Sequence, residues 1–146
     1  MPFTLYVALG DSMSTDHYPT CDVREVDVPP DRLDPLGAAA LLYRNDDLRW
    51  PELRGQDLTH GSPDIEFLNL AEDGVMIDDV ATEELARLGR DSRDPGILIT
   101  LTTGGNDLLN VLVRSNGDVR LIVDEATRVE RVLGDRAAAT GELSFV

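Results

Sequence analysis

Phe3-Thr4-Leu5-Tyr6-Val7-Ala8-Leu9-Gly10-Asp11-Ser12-Met13-Ser14 is the stretch that decides the fold. Its mostly apolar strand formers stop at Gly10, which predicts a buried strand over 3–9. The Gly-Asp-Ser that follows presents a serine hydroxyl at the carboxyl edge of a sheet, where open α/β folds gather their chemistry. The same arrangement recurs twice. Ile65-Glu66-Phe67-Leu68-Asn69-Leu70 predicts a second strand leading into Ala71-Glu72-Asp73-Gly74, and Ile97-Leu98-Ile99-Thr100-Leu101-Thr102 a third leading into Gly104-Gly105-Asn106-Asp107. The third run is almost wholly apolar or β-branched, which suits a strand covered on both faces.

Between these strands the pattern changes period. Residues 13–35 are rich in Pro and Asp with no sustained periodicity, and predict a long surface loop beside Ser12. Residues 37–44 predict a helix with Leu36, Ala39, Ala40 and Tyr43 on one face, ended by Asn45-Asp46-Asp47. A second helix is expected from Ile77 or Asp78 through Val80, Leu85 and Leu88 to Gly89. Residues 119–133 give the plainest helical pattern, with Ile122, Ala126, Val129 and Leu133 at one face. The order β-loop-α-β-α-β-α predicts a single α/β domain over 1–146 with a parallel sheet. The tail Glu142-Leu143-Ser144-Phe145-Val146 reads as the opening of a further strand, so the domain is expected to be C-terminally incomplete.

Composition narrows the function classes. A net charge of −15, with all thirteen basic residues Arg, argues against binding nucleic acid phosphates, which requires clustered cations. The lone Cys21 allows neither an internal disulfide nor a Cys-based metal site. No basic leader with an apolar core opens the chain, and no apolar run approaches the ~20 residues that span a bilayer. The expectation is a cytoplasmic protein with no cofactor, no metal and no membrane partner.

The three post-strand blocks, in this order, resemble the GDSL/SGNH family of serine ester hydrolases over residues 3 to about 110. The resemblance implies a three-layer α/β/α, flavodoxin-like fold and hydrolysis of a small-molecule ester through an acyl-enzyme. It makes Ser12 the nucleophile, with the oxyanion hole formed by the Ser12 N–H, the backbone N–H of Gly74 and the side-chain amide of Asn106. Physical reasons accompany each role. A glycine lets backbone approach substrate without a Cβ, Gly104-Gly105 permit a tight turn, and an Asn amide is a neutral donor for a developing negative oxygen. Asp11 and Asp107 are expected to fix loops by hydrogen bonding.

A serine nucleophile also needs a base oriented by a third group. The family's Asp-x-x-His block is missing, and His17 and His60 are the only histidines. His17, preceded by Asp16, lies five residues past Ser12 but reads as a solvated loop residue, as does His60. Two readings follow: a serine esterase represented by a truncated, weakly active or inactive chain, or a non-catalytic module binding an acyl or acetylated-sugar ligand. A nucleotide-binding reading is disfavoured because the first turn has neither phosphate-binding glycine pattern. The third strand is further expected to be a sheet edge, or to be covered only by the tail from Leu143 to Val146, and so to promote self-association.

Overall fold

The computed structural model describes residues 3–20, 34–88, 94–116 and 118–140. Three parallel strands form the sheet: β1 (Leu5–Gly10), β2 (Glu66–Asn69) and β3 (Ile97–Thr102). Their order is β2-β1-β3, the order in which doubly wound sheets of the 2-1-3-4-5 type begin. The register pairs Leu5 with Glu66 on one side and with Ile97 on the other. All three strands therefore end at one edge, and the chain turns there after Gly10, Asn69 and Thr102.

Alternation along β1 sends side chains to two cores. Leu5, Val7 and Leu9 pack with Val80 and Leu88, supported by Leu68, Ile97 and Ile99. Tyr6 and Ala8 pack with Ala39 and Ile65, supported by Tyr43, Leu58, Phe67 and Leu98. On that second face Tyr6, Phe67 and Tyr43 stack with ring centroids 5.1 and 4.9 Å apart. Helices thus cover both faces of the sheet. Burial of each such aliphatic side chain contributes about 1.5–3 kcal/mol, and β1, buried at every residue, is the centre of the fold.

Short helical turns, α1 (His17–Thr20), α2 (Ala38–Tyr43) and α3 (Leu58–Gly61), precede β2. After β2 comes one continuous helix, α4, which is α-helical over Ile77–Asp79, π-helical over Val80–Glu84 and α-helical again over Leu85–Arg87. Past β3 lie α5 (Gly105–Ser115) and α6 (Val119–Thr140). α6 packs along α5 and touches the start of α4.

Several expectations change. One helix is predicted after the third strand and two are present. Asn116 is left-handed (φ 50°) and closes α5, as Asn often does at a helix C-terminus. The third strand is half-buried rather than covered on both faces, with Leu101 40% exposed. Only β1 flanks it among the described residues, so the double coverage belongs to β1 instead. α1 interrupts the start of the predicted 13–35 loop, whose remainder lies largely outside the described residues, as do Cys21, the Gly89 helix end and the 142–146 strand. On α6, Ile122 and Val129 turn inward as expected, but Ala126 is exposed. The inner stripe passes instead through Glu125 and Arg128, because Arg128 reaches a buried carboxylate on α5.

Candidate functional site

Ser12 opens a tight turn directly after β1 and is half-buried. Asp11 builds that turn. Its carbonyl accepts the Ser14 N–H at 3.0 Å, and its Oδ1 accepts the Met13 N–H at 3.1 Å. The turn is tied to β3 twice, by Asp11 N–H to Thr102 O (2.9 Å) and by Ser14 Oγ to Thr102 Oγ1 (2.9 Å). Gly10 is the hinge, with φ +117°, and a Cβ there would stand 1.8 Å from Thr102 O.

The second block joins the first through backbone and amide bonds. Glu72 N–H donates to Gly10 O at 2.9 Å, and Asn69 Nδ2 donates to Ser14 O at 2.9 Å. Asn69 Oδ1 also accepts the Ala71 N–H, which shapes the descent toward Gly74. Gly74 is exposed at φ +78°, with nothing within 4 Å of where its Cβ would be. The third block reaches the second in turn. Asn106 Nδ2 donates to Val75 O at 2.9 Å, and Asp107 Oδ2 accepts the Ile77 N–H at 3.0 Å.

Ser12 and Gly74, on the loops after β1 and β2, and Asn106, on the first turn of α5, are therefore bonded into one cluster at the carboxyl edge of the sheet. Among the described residues neither the Ser12 nor the Gly74 N–H has an acceptor, and Ser12 Oγ has no partner. Asn106 spends one amide N–H on Val75 and keeps a second. A clasp stands on the same edge: Tyr18 Oη donates to Asp73 Oδ2 at 2.8 Å, and this bond raises the Tyr18 pKa above its ordinary value.

No base joins this cluster among the described residues. His17 opens α1 and sets its ring edge-on against Tyr18, centroids 5.5 Å apart. Asp16, the nearest carboxylate in sequence, accepts the Gly37 N–H at 2.7 Å and so anchors α2. Burial raises its pKa, against the pull of that bond. His60 belongs to α3, where Asp57 accepts its backbone N–H at 3.0 Å. α3 leads into the amino end of β2, so His60 lies at the edge opposite Ser12. No cluster of three or more potential metal ligands occurs among the described residues. No helix described is long and apolar enough to cross a membrane.

A cavity of about 620 Å³ opens beside α2, lined by residues including Leu36, Ala40, Tyr43 and Phe67, and none of the three post-strand blocks contributes to its wall. The chemistry-bearing side chains and this apolar hollow are separate features.

Glu84 belongs to the edge cluster and was not among the sequence candidates. It is 1% exposed, and its Oε2 accepts the Gly10 N–H at 2.7 Å. Its signal was available: Glu84 falls between Val80 and Leu88 at +4 spacing, a carboxylate on an apolar stripe. The chain matches no protein-family model, no curated protein and no solved structure. What defines it is the fold and this cluster: an α/β protein with a three-stranded parallel sheet whose polar loops meet at one edge.

Proposed function

We propose that this chain carries the nucleophile and oxyanion half of a serine ester hydrolase site of the GDSL/SGNH type, on a flavodoxin-like sheet. The observation that supports it is the bonding of the Ser12, Gly74 and Asn106 loops into one cluster at the carboxyl edge. In this reading Ser12 Oγ attacks the ester carbonyl. The Ser12 and Gly74 N–H groups and the second Asn106 amide N–H take the charge that develops on the carbonyl oxygen. Alcohol leaves, and water then releases the acid from the acyl-serine. The substrate is a small-molecule ester, and the protein works in the cytoplasm.

Proton transfer is the deficient step. With Asp16 committed to Gly37 and His17 packed on Tyr18, Ser12 has no base among the described residues, and turnover by this chain is slow. Loss of a triad base typically costs about 10⁶ in turnover and leaves about 10³ over water. The test is p-nitrophenyl acetate hydrolysis with and without added imidazole as an external base. An imidazole-dependent rate in the native chain that exceeds the Ser12→Ala rate supports the nucleophile. Identical rates in the two proteins at every imidazole concentration rule it out.

The same missing base favours a second reading, a module that binds an acyl or acetylated-sugar ligand without turning it over. Calorimetric binding of such a ligand, equal in the native and Ser12→Ala proteins and without hydrolysis, would select it.

A further inference from the structure

α4 does not run as a regular helix. A π turn such as Val80–Glu84 is intrinsically unfavourable and recurs at functional sites, where it re-aims a side chain. Here the turn holds Val80 in the apolar core with Leu5, Val7 and Leu9, and ends on Glu84. The Glu84 carboxyl is buried to 1% exposure against the end of β1. One oxygen accepts the Gly10 N–H at 2.7 Å; the other, Oε1, has no hydrogen-bond partner among the described residues. A buried polar atom left unpaired is costly, and each instance calls for an explanation.

Gly10 is no ordinary attachment point. Its N–H goes to Glu84, its carbonyl takes the Glu72 N–H, and the next residue bonds Thr102. Its positive φ sets the direction in which Asp11 and Ser12 leave the strand. We infer that Glu84 is a positioning residue for Ser12: the π turn carries its carboxyl inward to lock the Gly10 peptide, so the state of this buried group is read out at the serine. The consequence for reactivity rests on Ser12 being the nucleophile; the consequence for the turn's geometry does not.

The surroundings make the lock sensitive to pH. Burial raises the Glu84 pKa, while the Gly10 N–H, the Arg87 charge and the Glu72 N–H act against it and the Glu72 carboxylate adds to it. Arg87 is partly neutralised by its own pairing with Glu72. β1 presents no charged side chain. Ionisation would leave Oε1 charged beside only the Glu72 N–H, which Gly10 O already engages at 2.9 Å, among the described residues, and water entering to solvate it would loosen the Gly10 bond.

The experiment follows backbone amide NMR signals of Gly10, Asp11, Ser12 and Glu72 in the full chain from about pH 4 to 9, spanning the carboxylate range and beyond. It is run on native protein, Glu84→Gln and Glu84→Ala. Labelling of Ser12 by a fluorophosphonate is measured in parallel. The Gly10 and Ser12 amides should titrate together in the native chain, above the ordinary Glu range, and stay flat in Glu84→Gln. Glu84→Gln should label at the native rate at the acid end and outpace it at the alkaline end. Glu84→Ala, having lost the lock, should label about tenfold or more slowly throughout, since small misplacements of reacting groups cost about that much or more. Native Gly10 and Ser12 amides that do not move with pH, or that move equally in Glu84→Gln, overturn the proposal. If no variant labels Ser12 even with added imidazole as external base, the nucleophile reading fails, and the amide titration alone still decides the role of Glu84. Glu84→Gln keeps the test decisive should Glu84→Ala not fold.

Discussion

The Arg128 guanidinium, on α6, donates to Asp107 Oδ1 on the first turn of α5 across 2.5 Å. Asp107 is fully buried while Arg128 is 30% exposed, and the other Asp107 oxygen holds the Ile77 N–H. One ion pair thus ties α6 to the turn of α5 that bears Asn106 and to the start of α4. Asp78 and Glu125 share the same guanidinium, and the Glu125 bond foremost raises the Arg128 pKa.

Arg128→Ala should therefore lower stability by about 2–3 kcal/mol. Breaking a fully buried pair costs about 3–5 kcal/mol, and the exposure of Arg128 lets water replace part of what is lost. Urea denaturation of Arg128→Ala and Arg128→Lys measures it. Lys should recover only part, because a single ammonium cannot serve Asp107, Asp78 and Glu125 in the guanidinium's fork geometry.

Glu84 makes stability depend on pH in a definite direction. Its folded pKa is raised, so the folded state holds the proton more tightly than the unfolded state, whose value is about 4.3. Its contribution is fully present below that unfolded value and is lost as pH rises through the folded one. The native-minus-Glu84→Gln stability difference should consequently fall across that window and level off above it. A difference independent of pH would contradict the burial of the carboxyl.

Two glycines of positive φ should respond differently to alanine. At Gly10 the new Cβ would collide with Thr102 O inside the sheet, so Gly10→Ala should cost more than about 3 kcal/mol or abolish folding. At Gly74 nothing lies within 4 Å, so the cost reduces to left-handed strain of about 1–2 kcal/mol. If Gly74 is an oxyanion donor, Gly74→Ala should slow Ser12 labelling more than its stability loss explains.

The β3 edge has no charge, proline or bulge in Ile97–Thr102, the devices that ordinarily block strand-to-strand pairing. The isolated chain should self-associate despite its charge of −15. Leu101→Lys, at a residue 40% exposed, should shift light scattering toward monomer. A native chain that is already monomeric at high concentration would remove β3 as an association surface.

The local apolar runs and helical periodicities by themselves determined the parallel strand elements, the α2 and α4 helices and the glycine-bearing turns after each strand. These are properties of neighbouring residues. β3 matches its run residue for residue over 97–102. That Asp11 fixes its turn was legible too, since a short carboxylate after a strand bonds nearby N–H groups; Asp107 also fixes a loop, but the Ile77 N–H that it accepts is 30 positions away and only the fold brings it there.

Tertiary structure alone decided which apolar run is doubly covered, because that depends on having two neighbours: among the described residues β1 has them and β3 does not. It alone assigned Glu84 to the Gly10 N–H, a contact between residues 74 positions apart that requires a π turn no periodicity reveals. Arg128 follows the same rule. Read along α6 it is one more exposed cation beside an apolar stripe. Only the packing of α6 on α5 gives it a buried carboxylate to neutralise, and desolvation of Asp107 then makes it an inward-facing residue in place of Ala126.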